Sequence, residues 1–190
     1  MWKQYRKPNR LAGYDYNQDG FYFVTICTKD RETYFGEIKE GIMELNQWGK
    51  IVDQCWREIP DHFKNIFIDE YIVMPNHVHG IILIHHETSL ESMGQSLVGT
   101  RYTLSLPTED VDARRHEKIP VVIGSFKASV SRKINNVQHE FQFQWQRSYH
   151  DHIIRNDIAL QKIRQYILDN PLKWNEDENN PKNFVNLKNV

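Results

Sequence analysis

Cysteine is scarce: Cys27 and Cys55 are the only two in 190 residues. Both sit in apolar settings and read as packed, reduced thiols of a cytoplasmic protein, and no cysteine cluster argues for structural zinc. An excess of either charge is missing as well. Lys and Arg number 24 against 25 Asp and Glu, a formal net charge of −1. A nucleic-acid role would therefore need a local basic surface, since no global basic signature exists. No signal peptide opens the chain, and no apolar run is long enough to span a membrane. Internal repeats are absent too. What remains is 39% hydrophobic, 12% aromatic and 26% charged residues, enough for a core in an ordinary soluble chain. The length suits one domain, residues 1–174, with a polar insertion at about 85–120 and a tail at 175–190.

Taken in order, residues 1–10 carry Lys3, Arg6, Lys7 and Arg10 with no acid. They read as a solvated tail or as a basic arm that lies along phosphates. FYFVTICTKD, from Phe21, is aromatic and β-branched and predicts a first strand. Gly36 to Ile42 predicts a hairpin or short loop. Leu45, Trp48, Ile51, Val52 and Trp56 recur at near-helical spacing, so Glu44 to Ile59 predicts a helix ended by Pro60. Asn65 to Val73 predicts a second strand. Residues 85–120 are polar and irregular, too long for a simple loop, and read as an insertion or a lid. Val122, Phe126, Val130 and Ile134 repeat every four residues and predict a helix from Val121. Phe141 to Ile154 reads as a strand with a bend. Asn156 is a good N-cap for a last helix, Asp157 to about Asn170, which buries Leu160, Ile163 and Ile167 before Pro171. The tail holding Glu176, Asp177 and Glu178 reads as a loose end.

The stretch YIVMPNHVHGIILI, Tyr71 to Ile84, runs from the end of the second strand through the Met74-Pro75-Asn76 turn into a third, antiparallel strand. His77 and His79 are two apart and precede a buried-strand pattern, so they share one face while Val78 points to the other layer. The Pro75-Asn76 turn places them at a strand start, near an edge of the sheet. Two imidazoles on a rigid strand make half of a metal site. On spacing alone the pair reads as ordinary strand histidines, since nine histidines occur and His150 and His152 have the same spacing. The metal reading needs a third ligand and a reactive group from elsewhere.

The order strand, helix, strand, strand, helix, strand, helix is the ferredoxin-like βαββαβ arrangement with an extra C-terminal helix, an α+β fold. Helices cover one face of its antiparallel sheet and the other stays open, a shallow floor for a site. Tyr166 and Asn170 lie four residues apart on one side of the last helix. Docked over the open face, that side could bring a phenol and an amide to the imidazoles. Each residue taken singly reads as an ordinary helix-margin or helix-end residue.

MPNHVHGIILI, WQRSYHDHIIRN and IRQYILDNPLKW, in this order, resemble the single-tyrosine transposases of the histidine-hydrophobe-histidine superfamily, above all the REP-associated tyrosine transposases and their insertion-sequence relatives. The resemblance runs from the first strand to Trp174. It implies that His77 and His79 are the metal pair, that Asn170 is the third ligand, and that Tyr166 is the nucleophile. It places His150 and His152 outside the metal site and ranks Tyr149 as the rival tyrosine. The insertion at 85–120 departs from compact members. The implied activity is metal-dependent cleavage and rejoining of single-stranded or hairpin DNA through a 5′-phosphotyrosine, with Mg²⁺ or Mn²⁺ suiting imidazole and amide ligands. Lys127, Arg132, Arg147 and Arg155 are candidate DNA contacts. A homodimer is compatible with this reading, which does not fix the oligomeric state. Two alternatives stand beside it: a non-catalytic nucleic-acid-binding module, and a relaxase or replication-initiator nickase.

Overall fold

A computed structural model describes residues 14–86, 118–137 and 142–183. The basic arm, residues 87–117 of the insertion and the chain beyond residue 183 lie outside the described residues. Six strands are present among the described residues: β1 (Gly20–Cys27), β2 (Gly36–Lys39), β3 (Ile42–Leu45), β4 (Ile66–Val73), β5 (His77–Ile84) and β6 (His150–Ile154). The helices are α1 (Gln47–Arg57), the single turn α2 (Ile59–His62), α3 (Lys118–Val137) and α4 (Asp157–Asp169). Strands β4-β5-β1-β6 form one antiparallel sheet in that spatial order. With α1 between β1 and β4, and α3 between β5 and β6, this is the ferredoxin-like α+β plan. The β2–β3 hairpin is inserted before α1, and α4 is appended.

Strand alternation sorts the side chains into two layers. Tyr22, Val24, Ile26, Val78, Ile82 and Ile84 point to the layer that α1 and α3 cover, where Val52, Trp56, Val122, Phe126, Val130 and Ile134 meet them. On the opposite face Phe21, Phe23, Ile72 and Ile81 pack under Leu160, Ile163 and Ile167 of α4. His77 and His79 are on this second face, because Thr25 and Cys27 of β1 stand opposite them in register. The face is therefore roofed, not open. Helix α4 starts where Asn156 accepts the Ala159 N–H at 2.8 Å. It is anchored at its middle by Arg164, whose Nε donates to Asp69 Oδ1 at 2.8 Å. A one-residue bulge between Ile68 and Tyr71 of β4 presents that carboxylate.

Gly80 explains how the histidine strand approaches α1. A Cβ there would lie 2.2 Å from Trp56 Cζ2. The Trp56 ring, fully buried, lies directly over the Gly80 backbone between Tyr71 and Phe126.

Several expectations need correction. The first helix begins at Gln47, because Glu44 and Leu45 pair in the β2–β3 hairpin and Asn46 caps the helix by accepting from the Trp48 and Gly49 N–H groups. Pro60 does not end that helix; it sits in the first turn of α2, where its missing N–H costs nothing. The histidine pair does open its strand, but β5 is interior, flanked by β4 and β1. Only His150–Ile154 of the expected bent strand pairs as one, with Trp145 making a lone bridge to Thr28. The segment after α4 is not loose: a 3₁₀ turn at Trp174–Glu176 leads into Asp177, Asn179 and Asn180, all buried.

Candidate active site

The Met74–His77 turn sets the pair in place. The Met74 N–H donates to the His77 carbonyl at 2.8 Å, the Phe35 N–H to the Pro75 carbonyl at 2.9 Å, and the Thr28 N–H to the Asn76 carbonyl at 2.9 Å. The two imidazole rings then lie 4.4 Å apart, nearly edge to face. Each ring is held through Nδ1: His77 by Asn76 Oδ1 at 2.9 Å, His79 by Thr25 Oγ1 at 2.9 Å. Both Nε2 atoms are left to face the site. His77 is 0% exposed and His79 is 2% exposed, so the floor is deep rather than shallow. Burial, with the Arg31 charge adding to it, pushes the His77 imidazole down to about 3. Burial and the His77 neighbour hold His79 well below the ordinary imidazole range, against an opposing pull from Asp177. Both imidazoles are thus neutral at pH 7, the form that can bind a metal ion.

Helix α4 brings Tyr166 to the pair. Its hydroxyl lies 3.3 Å from His79 Nε2, and its ring stands edge-on to Phe23 at 6.0 Å. The phenol is raised above its ordinary pKa by burial and by the Asp177 charge, while the Asn170 amide works in the opposite direction. Tyr166 is 43% exposed, so solvent and a polymer strand can reach it. Asn170, at the C-cap of α4, is 3% exposed, and its Oδ1 is buried without a hydrogen-bond partner.

Asp177 is the member that sequence reasoning missed. With His77 and His79 it forms a group whose ligand atoms all lie within 4.8 Å of one another. His77 Nε2, itself buried without a hydrogen-bond partner, is 3.9 Å from Asp177 Oδ2. A buried acceptor without a donor is costly. His77 Nε2 is such an atom, grouped with a carboxylate and a second neutral imidazole, a donor set that fits a divalent cation; Asn170 Oδ1 is another, on the helix end that follows Tyr166. No local signal marked Asp177, which sits between two other acids in an asparagine-rich string.

The remaining candidates scatter. Tyr149 packs against the α1–α3 core, on the other side of the sheet from His79. His150 and His152 stand opposite Thr25 and Phe23, on the α4 face, but both are on β6, which β1 separates from the pair on β5, and both are exposed. Lys127 is half-buried and donates to the Gln146 carbonyl at 2.6 Å, so it braces the loop before β6. Arg132 is exposed on α3, the helix that covers the opposite face. Arg147 is exposed before β6, and Arg155 borders a groove with His152 and Asn156 beside the start of α4.

The chain is 37% identical over 175 residues to an uncharacterized Haemophilus influenzae protein, 92% of each chain being covered. A second Haemophilus influenzae relative, named for the REP-associated tyrosine transposases, is 24% identical over 160 residues, 84% of this chain and 74% of that one. The chain is similar to the REP-associated tyrosine transposases. Its fold matches a solved REP-associated tyrosine transposase bound to a REP hairpin, with a TM-score of 0.52 and 17% identity, over 90% of this chain and 74% of the other. No family model matches. Among the described residues, no helix is long and apolar enough to cross a membrane.

Proposed function

We propose that this protein cleaves and rejoins single-stranded or hairpin DNA through a covalent 5′-phosphotyrosine on Tyr166. The observation that carries the reading is the placement of one half-exposed phenol 3.3 Å from an otherwise buried, neutral imidazole of a paired-histidine site. His77, His79 and Asn170, joined by Asp177, would hold one divalent cation, Mg²⁺ or Mn²⁺. When bound, such an ion neutralises charge on a phosphodiester and polarises it.

The chain's own groups account for the remaining chemistry. Asn76 and Thr25 hold the two rings through Nδ1, so both Nε2 atoms face the site without reorganisation. Phe23 and His79 hold the Tyr166 ring, and Arg164 holds its helix, so the hydroxyl is aimed before substrate arrives. Tyr166 Oη attacks phosphorus in line. The Tyr166 O–P bond forms as the bond from phosphorus to the 3′ oxygen breaks; the phenol gives up its proton and the leaving 3′ oxygen gains one. A 3′-OH can then attack the phosphotyrosine and reverse the exchange, joining strands without a nucleotide cofactor. A raised phenol pKa means that free Tyr166 is protonated at neutral pH, so cleavage depends on charge neutralisation at the site.

Hairpin DNA enters the proposal through the solved transposase of similar fold that is bound to a REP hairpin. Ferredoxin-like sheets that bind RNA without catalysis do so on an uncovered face. Here α4 and the tail cover that face and put a phenol on it, which favours the enzymatic reading. The test is Tyr166→Phe with a labelled hairpin oligonucleotide and Mn²⁺. Binding should persist, cleavage should vanish, and the wild type should give a denaturation-resistant adduct mapped to the Tyr166 peptide. An adduct on Tyr149, or full cleavage by Tyr166→Phe, would overturn the assignment.

A further inference from the structure

We propose that Asn76 is a positioning residue that fixes the His77 tautomer and, through the other end of the same amide, fastens the tail that carries Asp177. Asn76 is 0% exposed. Its Nδ2 donates to the Arg31 carbonyl at 2.7 Å and to the Asn179 carbonyl at 2.8 Å. Those two bonds use both N–H groups, so the amide orientation is determined: flipped, its oxygen would face two carbonyl oxygens. Oδ1 therefore points at His77 Nδ1, 2.9 Å away. An amide oxygen only accepts. His77 must carry its proton on Nδ1, and Nε2 must present a lone pair toward Asp177 and the site.

The Thr25 hydroxyl facing His79 can either donate or accept, so it does not impose a tautomer in the same way. Asn76 thus does for His77 what no other contact in the site does for His79. It also reaches across the chain, because the Asn179 carbonyl lies two residues from Asp177. The Arg31 guanidinium, donating to the Glu178 carbonyl, ties the same segment from the other side. One side chain sets both the direction of the imidazole lone pair and the place of the carboxylate. This matches the general pattern in which outer groups orient metal-ligating histidines, with losses of about 10–100-fold in metal affinity on their removal.

The metal arm of the inference rests on the reading of His77, His79 and Asp177 as a cation site; the tautomer arm does not. Long-range ¹H–¹⁵N correlation spectra of the metal-free full chain read the tautomer directly, with His77 assigned by the loss of its signals in His77→Gln. The wild type should show His77 protonated at Nδ1. Asn76→Ala should shift it to Nε2–H or to a mixture and weaken Mn²⁺ binding, by calorimetry, about 10–100-fold. Asn76→Asp separates the two tasks. It keeps an acceptor for His77 Nδ1 and should keep the tautomer. It loses both donors, so hydrogen-exchange protection across residues 177–183 should fall.

If Asn76→Ala does not fold, Asn76→Asp decides alone: a retained tautomer with a loosened tail supports the inference, and any other combination overturns it. A wild-type His77 protonated at Nε2, or an unchanged tautomer in folded Asn76→Ala, also overturns it. Nδ1 protonation without Mn²⁺ binding would instead remove the cation reading and leave the tautomer assignment standing.

Discussion

Acid should unfold the metal-free protein through His77 and His79 before its carboxylates matter. In an unfolded chain an imidazole titrates near pH 6.5. In the folded chain burial pushes His77 down to about 3 and moves His79 the same way. Between those limits the unfolded state binds protons that the folded state refuses, so stability rises with pH and falls as acid is added. The contribution is complete above about pH 6.5 and is lost progressively as pH falls toward the folded values. Each refused proton is worth about 1.4 kcal/mol per pH unit. Allowing for half-titration at the start, the two imidazoles together remove about 3 kcal/mol between pH 6.5 and 5.0. That is a large part of the ~5–15 kcal/mol that holds a typical domain. Urea unfolding in chelator at pH 7.5, 6.5 and 5.0 would measure it by tryptophan fluorescence, against a His77→Gln/His79→Gln variant that keeps polar side chains without the titration. The wild type should lose about 3 kcal/mol more than the variant over the acid step. Parallel curves would refute the reasoning and would mean that protons enter the site without unfolding it.

Asp177→Asn should weaken Mn²⁺ binding at least about tenfold and bring the Tyr166 phenol down toward its ordinary pKa, read by ultraviolet titration, since the Asp177 charge raises it. Asn170→Ala should slow cleavage, with part of the rate returning at high Mn²⁺ in a titration series. Gly80→Ala should cost about 1–3 kcal/mol or more in urea unfolding, because Trp56 is closed in by Tyr71 and Phe126 and cannot yield to the added methyl. Arg164→Met should cost about 1–2 kcal/mol and reduce kcat more than DNA affinity in single-turnover assays, by loosening the helix that aims Tyr166.

The parts of the fold legible in the sequence were those whose signal is local. The four-residue repeat of Val122, Phe126, Val130 and Ile134 marks one buried helix face, and all four are buried. His77 and His79 had to share a face because a strand alternates, and the register against β1 puts them there. Tyr166 and Asn170 were legible as a pair by helix spacing, and α4 does carry the phenol to His79. The start of α1 was hidden because Leu45 fits helical spacing as well as it fits the hairpin. Asp177 was hidden for a stronger reason. Its neighbours Asn179 and Asn180 are polar, and polar strings read as solvated. Asn179 is held by partners far away in sequence, Asn76 and Cys27, and Arg31 ties down the adjoining Glu178 carbonyl. Hydrophobic periodicity carries no trace of such long-range hydrogen bonds.

The clasp between Asn76 and Asn179 also has a temporal consequence. The four-stranded sheet needs nothing beyond Ile154, the end of β6. Tyr166 and Asn170 follow with α4, and Asp177 comes after them. A chain growing from its N-terminus can therefore close its sheet and set the imidazole pair on one face of it while the carboxylate has yet to be added. Manufacture of the scaffold and arming of the reactive centre are separate events, and the second waits for the segment that follows α4. A product cut short between residues 155 and 176 would keep every strand of the sheet and lack the group that faces His77 Nε2.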